Sequence, residues 1–157
     1  MTRPLSPREL LLGSFEAALA AADPLKIVPQ HLPPPPKGRT LVVGAGKAAA
    51  AMALAVEQQW PADAPLEGLV ITRYQHGLLT NRITVVEAGH PVPDQSGEQA
   101  AQEIMRLAKL LTPEDLLLVL VSGGGSSLLT LPAEASAAPS SKRRRASFCA
   151  RAPRFRT

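Results

Sequence analysis

DLLLVLVSGGGSSLLTLP, running from Asp115 to Pro132, sets an unbroken apolar run against an abrupt glycine turn. Leu116 to Val121 shows no polar alternation, the pattern of a strand covered on both faces in the middle of a parallel sheet. The run stops at Ser122-Gly123-Gly124-Gly125-Ser126-Ser127, where three glycines leave no side chain between backbone and ligand and the flanking hydroxyls add donors. Such a turn can wrap an anion with its N–H groups, and a helix beginning at Ser126 would aim its first amides at the same place. Open α/β sheets hold their ligands at the carboxyl ends of their strands. The plainer reading is a flexible turn between two buried elements.

Upstream of this stretch, strands and helices alternate. Ser6-Pro7-Arg8-Glu9 is a capping-box start, and Leu11, Leu12, Phe15, Ala18, Leu19 and Ala22 recur at helical spacing, predicting a helix to about Ala22 with one face to bury. Pro33 to Pro36 form a stiff extended connector. Thr40-Leu41-Val42-Val43 reads as a short strand, followed by the turn Gly44-Ala45-Gly46-Lys47 and an alanine-rich helix reaching about Trp60. Gly68 to Thr72 and Ile83 to Glu87 read as two further buried strands, with Arg73 to Asn81 as an exposed excursion between them. After the proline-stiffened loop Gly89 to Asp94, a helix is expected from a cap at Ser96, with the stripe Ala100, Ile104, Leu107, Ala108 and Leu111. This order predicts an α/β fold, a Rossmann-like three-layer α/β/α sandwich with a mostly parallel sheet.

The 157 residues suit one domain with a real core. No stretch approaches the roughly 20 apolar residues of a membrane span, and the N-terminus lacks a secretory pattern, so a cytoplasmic protein with no membrane partner is expected. Cys149 alone excludes an internal disulfide framework. The net charge of +4 would suggest nucleic acid if it were spread over the chain. It is not: Lys142 to Thr157 hold seven Lys or Arg and no acid, leaving 10 basic against 13 acidic groups in residues 1–141, net −3. The body is mildly acidic, and no nucleic-acid partner is expected. Residues 1–134 form the α/β domain, and 135–157, which lack any apolar period, are expected to be a disordered basic tail.

Gly44-Ala45-Gly46-Lys47-Ala48-Ala49 matches the Gly-x-Gly-x-x-Gly/Ala dinucleotide pattern, but Thr72 and Arg73 stand where the ribose-binding acid belongs; Arg73 would then serve an NADP phosphate. Lys47 falls in the first turn of a helix, where a cation opposes the dipole by a few tenths to about 1 kcal/mol, a cost that makes sense if an anion sits there. It would neutralise a phosphate or carboxylate and steady the charge of phosphoryl transfer; otherwise it is a solvated surface lysine. His90 is a candidate for orienting substrate or for acid–base work, or a loop histidine bonded to backbone. Asp94 is a turn or cap residue or a metal or substrate contact. Ser122 and Ser126 lack the Gly-x-Ser-x-Gly elbow of a nucleophile and read better as phosphate donors.

Three features, VVGAGKAAAAMA (Val42 to Ala53), EAGHPVPD (Glu87 to Asp94) and LVSGGGSSLLTLPAE (Leu120 to Glu134), together resemble the N-terminal part of the glycerate 2-kinase family, whose members carry a C-terminal MOFRL domain and are in some cases labelled hydroxypyruvate reductases. The resemblance covers about Leu5 to Glu134. It implies ATP-dependent, Mg²⁺-requiring phosphorylation of D-glycerate to 2-phosphoglycerate in a cleft between two domains. On it Lys47 matches the active-site lysine, and Ser122, Gly123, Gly124, Gly125, Ser126 and Ser127 match the phosphate-binding glycine loop. Gly44 and Gly46 border the same nucleotide site, and His90 and Asp94 fall in a family motif facing substrate. No metal ligand is assigned. Family members are far longer, and the second domain, which supplies further catalytic residues including an arginine, has no counterpart here, so the chain is expected to be inactive alone. The Arg, Ala, Pro and Ser excess after Glu134 is what a GC-rich gene encodes out of frame, and the tail is expected to be such a product. Two other functions compete: an NAD(P)-dependent hydroxypyruvate reductase built on Gly44 and Gly46, and a non-enzymatic small-ligand or interaction module.

Overall fold

A computed structural model describes residues 5–131. The basic tail, Cys149 and the boundary at Glu134 lie outside the described residues. Four strands, β1 (Thr40–Ala45), β2 (Leu66–Arg73), β3 (Ile83–Ala88) and β4 (Leu116–Val121), form one all-parallel sheet in the order β3-β2-β1-β4. The expected α/β sandwich is therefore present, and the carboxyl ends of all four parallel strands open on the same edge of the sheet.

Side-chain alternation along the strands makes two separate cores. On one face Val42, Val70, Ile83 and Leu120 pack against Ala49, Ala53 and Val56 of α3 (Ala49–Gln59) and against Trp60. On the other, Leu41, Val43, Ala45, Leu69 and Ile71 pack against Ala100 and Ile104 of α4 (Gln95–Ala108). Alanines at the contact let α3 approach the sheet closely while retaining high helix propensity. α4 carries an apolar stripe on an otherwise polar helix, so one face alone is buried. Three layers result.

Two expectations about burial are overturned. β4, expected in the middle of the sheet, lies at its edge. Leu120 is buried, whereas Leu117, Val119 and Val121 are exposed, Val121 to 66%. The helix expected near the N-terminus forms as α1 (Pro7–Ala21), with the Ser6–Glu9 capping box in place, but none of its residues is buried, and Leu11 is 73% exposed. Its apolar spacing supplies a face, and nothing among the described residues covers that face.

Local chemistry accounts for the remaining boundaries. A short helix, α2 (Pro24–Ile27), is capped by Asp23 and runs into a 3₁₀ turn, Val28–His31, that packs with it against α3. The prolines 33 to 36 carry no regular element. α4 is capped by Asp94, not Ser96: Asp94 Oδ1 accepts the Gly97 N–H at 3.0 Å, while the Ser96 hydroxyl, inside the helix, donates to the Glu87 carbonyl at 2.8 Å. Among the described residues no helix is long and apolar enough to cross a membrane.

Candidate active site

The Lys47 turn and the glycine loop are stitched to each other. Lys47 N–H donates to the Gly123 carbonyl at 2.9 Å, and Ala48 N–H donates to Ser122 Oγ at 3.0 Å. The parallel register between β1 and β4 brings the two turns together, with Ala45 beside Val121. Lys47 precedes Ala48, the N-cap of α3, and so lies just outside the helix instead of in its first turn; its amide is bonded across to the neighbouring loop.

Within the glycine loop most amides are already used. Ser122 N–H donates to the Ala45 carbonyl, Gly125 N–H to Ser122, and Ser127 and Leu128 N–H to Gly124. Those of Gly123 and Gly124 make no hydrogen bond among the described residues. Successive unpaired amides at a strand end are donors of the kind that can hold an anion. Gly123 is exposed, with nothing within 4 Å of where a Cβ would stand. The Ser127 hydroxyl is committed to the Gly124 carbonyl at 3.0 Å, and Ser122 Oγ accepts from Ala48. α5 (Gly125–Leu128), the helix expected from Ser126, is one turn long, too short to add a useful dipole.

Gly124 has φ of +90°, and a Cβ there would stand 2.6 Å from His90 Nε2 and 3.5 Å from Lys47 Cε. The imidazole and the lysine stem thus fill the space of the missing side chain, which sets His90 and Lys47 beside the unpaired amides. Burial together with the charges of Lys47 and Arg73 lowers the His90 pKa from 6.5, so the imidazole is neutral at neutral pH. The His90–Pro91 peptide is cis.

Asp94 is occupied: besides capping α4 it accepts the Tyr74 hydroxyl at 2.7 Å on Oδ2. Burial raises its pKa, but the Tyr74 hydroxyl and backbone amides outweigh that and hold it below the ordinary carboxylate value. Among the described residues no three His, Cys, Asp or Glu side chains gather where a metal would be caged. A groove of about 340 Å³ runs along Leu78 to Val85, and no residue of the glycine turns lines it.

Gly44 and the turn after it do not present a dinucleotide cradle. A Cβ on Gly44 would stand 2.2 Å from the Leu120 carbonyl oxygen, so this glycine lets β1 and β4 approach closely. The amides of Gly46, Lys47, Ala48 and Ala49 are all bonded within the protein. Sequence reasoning assigned Arg73 only to an alternative NADP reading and passed over Tyr74. Their position at and just beyond the carboxyl end of a parallel strand was the available signal.

A family model described as a domain of unknown function, DUF4147, matches residues 10–143. The chain belongs to the DUF4147 family. It is 51% identical over 114 residues to an Agrobacterium vitis protein named as a hydroxypyruvate reductase, covering 73% of this chain and 26% of that one. It is 35% identical over 122 residues to the glycerate 2-kinase of Pyrococcus horikoshii, covering 70% of this chain and 27% of that protein. Among solved structures, the glycerate kinase of Thermotoga maritima superposes with a TM-score of 0.70 at 32% identity, over 83% of this chain and 32% of that one. The resemblance to the N-terminal part of the glycerate 2-kinases is thus borne out, and the chain spans about a quarter of the length of the curated relatives it matches. In this DUF4147 domain the loops after β1, β3 and β4 converge where the family's three motifs lie.

Proposed function

We propose that this DUF4147 chain is the N-terminal, anion-binding part of an ATP-dependent glycerate 2-kinase. The carrying observation is the meeting of Lys47, neutral His90 and the unpaired Gly123 and Gly124 amides at one edge of the sheet. In the proposed reaction the C2 hydroxyl oxygen of D-glycerate bonds to the γ-phosphorus as the bond to the bridging oxygen breaks. ADP leaves, and the hydroxyl proton passes to the His90 imidazole. Lys47 and the two amides face the phosphoryl oxygens and offset their charge in the transition state. Mg²⁺ would enter with the nucleotide and offset phosphate charge, and the described residues offer it no cluster of three His, Cys, Asp or Glu side chains. Gly44 and Gly46 shape the turn and Asp94 fixes the substrate loop.

A cytoplasmic setting belongs to the same reading. The competing reductase is disfavoured by the bonded amides of the Gly44–Ala49 turn. Both are tested by joining residues 1–134 to the corresponding continuation of the Agrobacterium vitis relative. ATP- and Mg²⁺-dependent formation of 2-phosphoglycerate is expected, and Lys47→Met should lower kcat/KM by about 100-fold or more. NADH or NADPH oxidation by hydroxypyruvate with no phosphoryl transfer would sink the proposal.

A further inference from the structure

Arg73 ends β2, the strand next to β1, and its register partner on β3 is Ala88, two residues before His90. Its backbone is held firmly. The Arg73 carbonyl accepts the His76 N–H at 3.2 Å, and the Glu87 carboxylate accepts the His76 and Gly77 amides at 3.0 and 2.7 Å. Next along the chain, Tyr74 is tied through its hydroxyl to Asp94 in the His90 loop. Yet the Arg73 side chain is exposed and has no ion-pair or hydrogen-bond partner among the described residues. The two carboxylates of its neighbourhood, Glu87 and Asp94, are taken by amides and by Tyr74. The guanidinium, on an anchored backbone, is therefore available to an anion at this edge of the sheet.

Adjacent strands lie about 4.8 Å apart, so side chains at the ends of β1 and β2 can reach one small ligand together. We propose that Arg73 is the second anion-binding residue of this site, holding the carboxylate of a small 2-hydroxy acid while Lys47 and the Gly123 and Gly124 amides hold the phosphoryl group. This rests on the kinase reading above and deepens it. The planar guanidinium matches a carboxylate with two parallel N–H donors, which Lys47, a point charge, cannot offer. Dividing the two anions between two cations also keeps the carboxylate from competing for the phosphoryl pole. The response of His90 to both Lys47 and Arg73 agrees with its standing near each of them.

The test uses the ¹⁵N-labelled 157-residue chain, titrated separately with D-glycerate and with inorganic phosphate while the Arg73 side-chain N–H and the Gly123 and Gly124 amides are followed by NMR. Glycerate is expected to shift the Arg73 signal, and Arg73→Met to weaken glycerate binding about tenfold or more, the ordinary worth of a charge-assisted hydrogen bond. Arg73→Lys should recover only part of that affinity. Phosphate binding, read at Gly123 and Gly124, should change little in Arg73→Met and fall about tenfold in Lys47→Met. If Arg73→Met leaves glycerate affinity unchanged while the glycine amides still respond, the Arg73 assignment is overturned and the kinase reading stands. If both substitutions weaken both ligands equally, there is one anion pole and the assignment is again overturned. If neither ligand shifts any of these signals, the anion site itself is wrong and both readings fall.

Discussion

β1 and β4 are neighbours in register and β4 is the more apolar of the two, yet all six residues of Thr40–Ala45 are buried while only Leu120 of Leu116–Val121 is. Leu41 and Leu117 make the contrast sharpest: the same residue, side by side, 1% and 42% exposed. β1 has a strand on either side and a helix on each face. β4 has a strand on one side, and α4 does not reach Leu117, Val119 or Val121. An apolar run states that burial is wanted; the position in the sheet decides whether it is obtained.

The comparison can be broken directly. Leu41→Ala should cost about 3 kcal/mol in denaturant unfolding, from lost burial and a residual cavity. Leu117→Ala should cost under about 1 kcal/mol, since the removed methyls already meet water. Equal losses would mean that something covers the β4 face in solution, and sedimentation across concentration would show whether a second copy does so.

A smaller effect compares the two sides of the stitched turns. Gly124→Ala introduces a Cβ at positive φ against the imidazole and should cost about 1–3 kcal/mol. Gly123→Ala meets open space. It should change stability by less than about 0.5 kcal/mol, as surface substitutions do, while weakening phosphate binding at the amides.

Away from the site, the Glu57 carboxylate of α3 accepts the amides of Asn81, Arg82 and Ile83 at 2.7, 2.9 and 3.2 Å, tying the helix to the start of β3. Burial pushes its pKa up, but these three amides win and hold it below the ordinary value. Glu57→Ala should destabilise by about 1–3 kcal/mol by orphaning those donors. In the native protein the Glu57 contribution is present above the ordinary carboxylate pKa and lost as pH falls through the lowered one.

The smallest effect concerns His90. Its folded pKa lies below 6.5, so the unfolded chain binds more protons in the interval between the two values. Stability from this residue is full above about 6.5 and declines as pH falls toward the folded pKa. His90→Gln should flatten that part of the stability–pH curve. A curve unchanged by the substitution would place the imidazole in ordinary solvent, away from Lys47 and Arg73.

Strand identity, the βα turns, the capping box at Ser6 and the glycine loop were legible in sequence because each rests on near neighbours: apolar runs, glycine spacing, or a hydroxyl three residues from its partner. The turns that carry Lys47 and SGGGSS were recognisable for the same reason. Which amides remain unpaired was not legible, because Ser122 N–H bonds to Ala45 and Lys47 N–H to Gly123, contacts that sequence distance hides. Arg73 was read only as an NADP-phosphate contact, because its anchored backbone and the lack of a side-chain partner among the described residues are properties of space. Asp94 displaced Ser96 as a cap because both spacings fit, and only the geometry of the Gly97 N–H selects between them. Local chemistry thus determined the elements and their turns. The sheet order determined edge from centre, and with it the exposed face of β4 and the meeting of four strand ends, since hydrogen bonding between distant strands is decided by packing and not by any one segment.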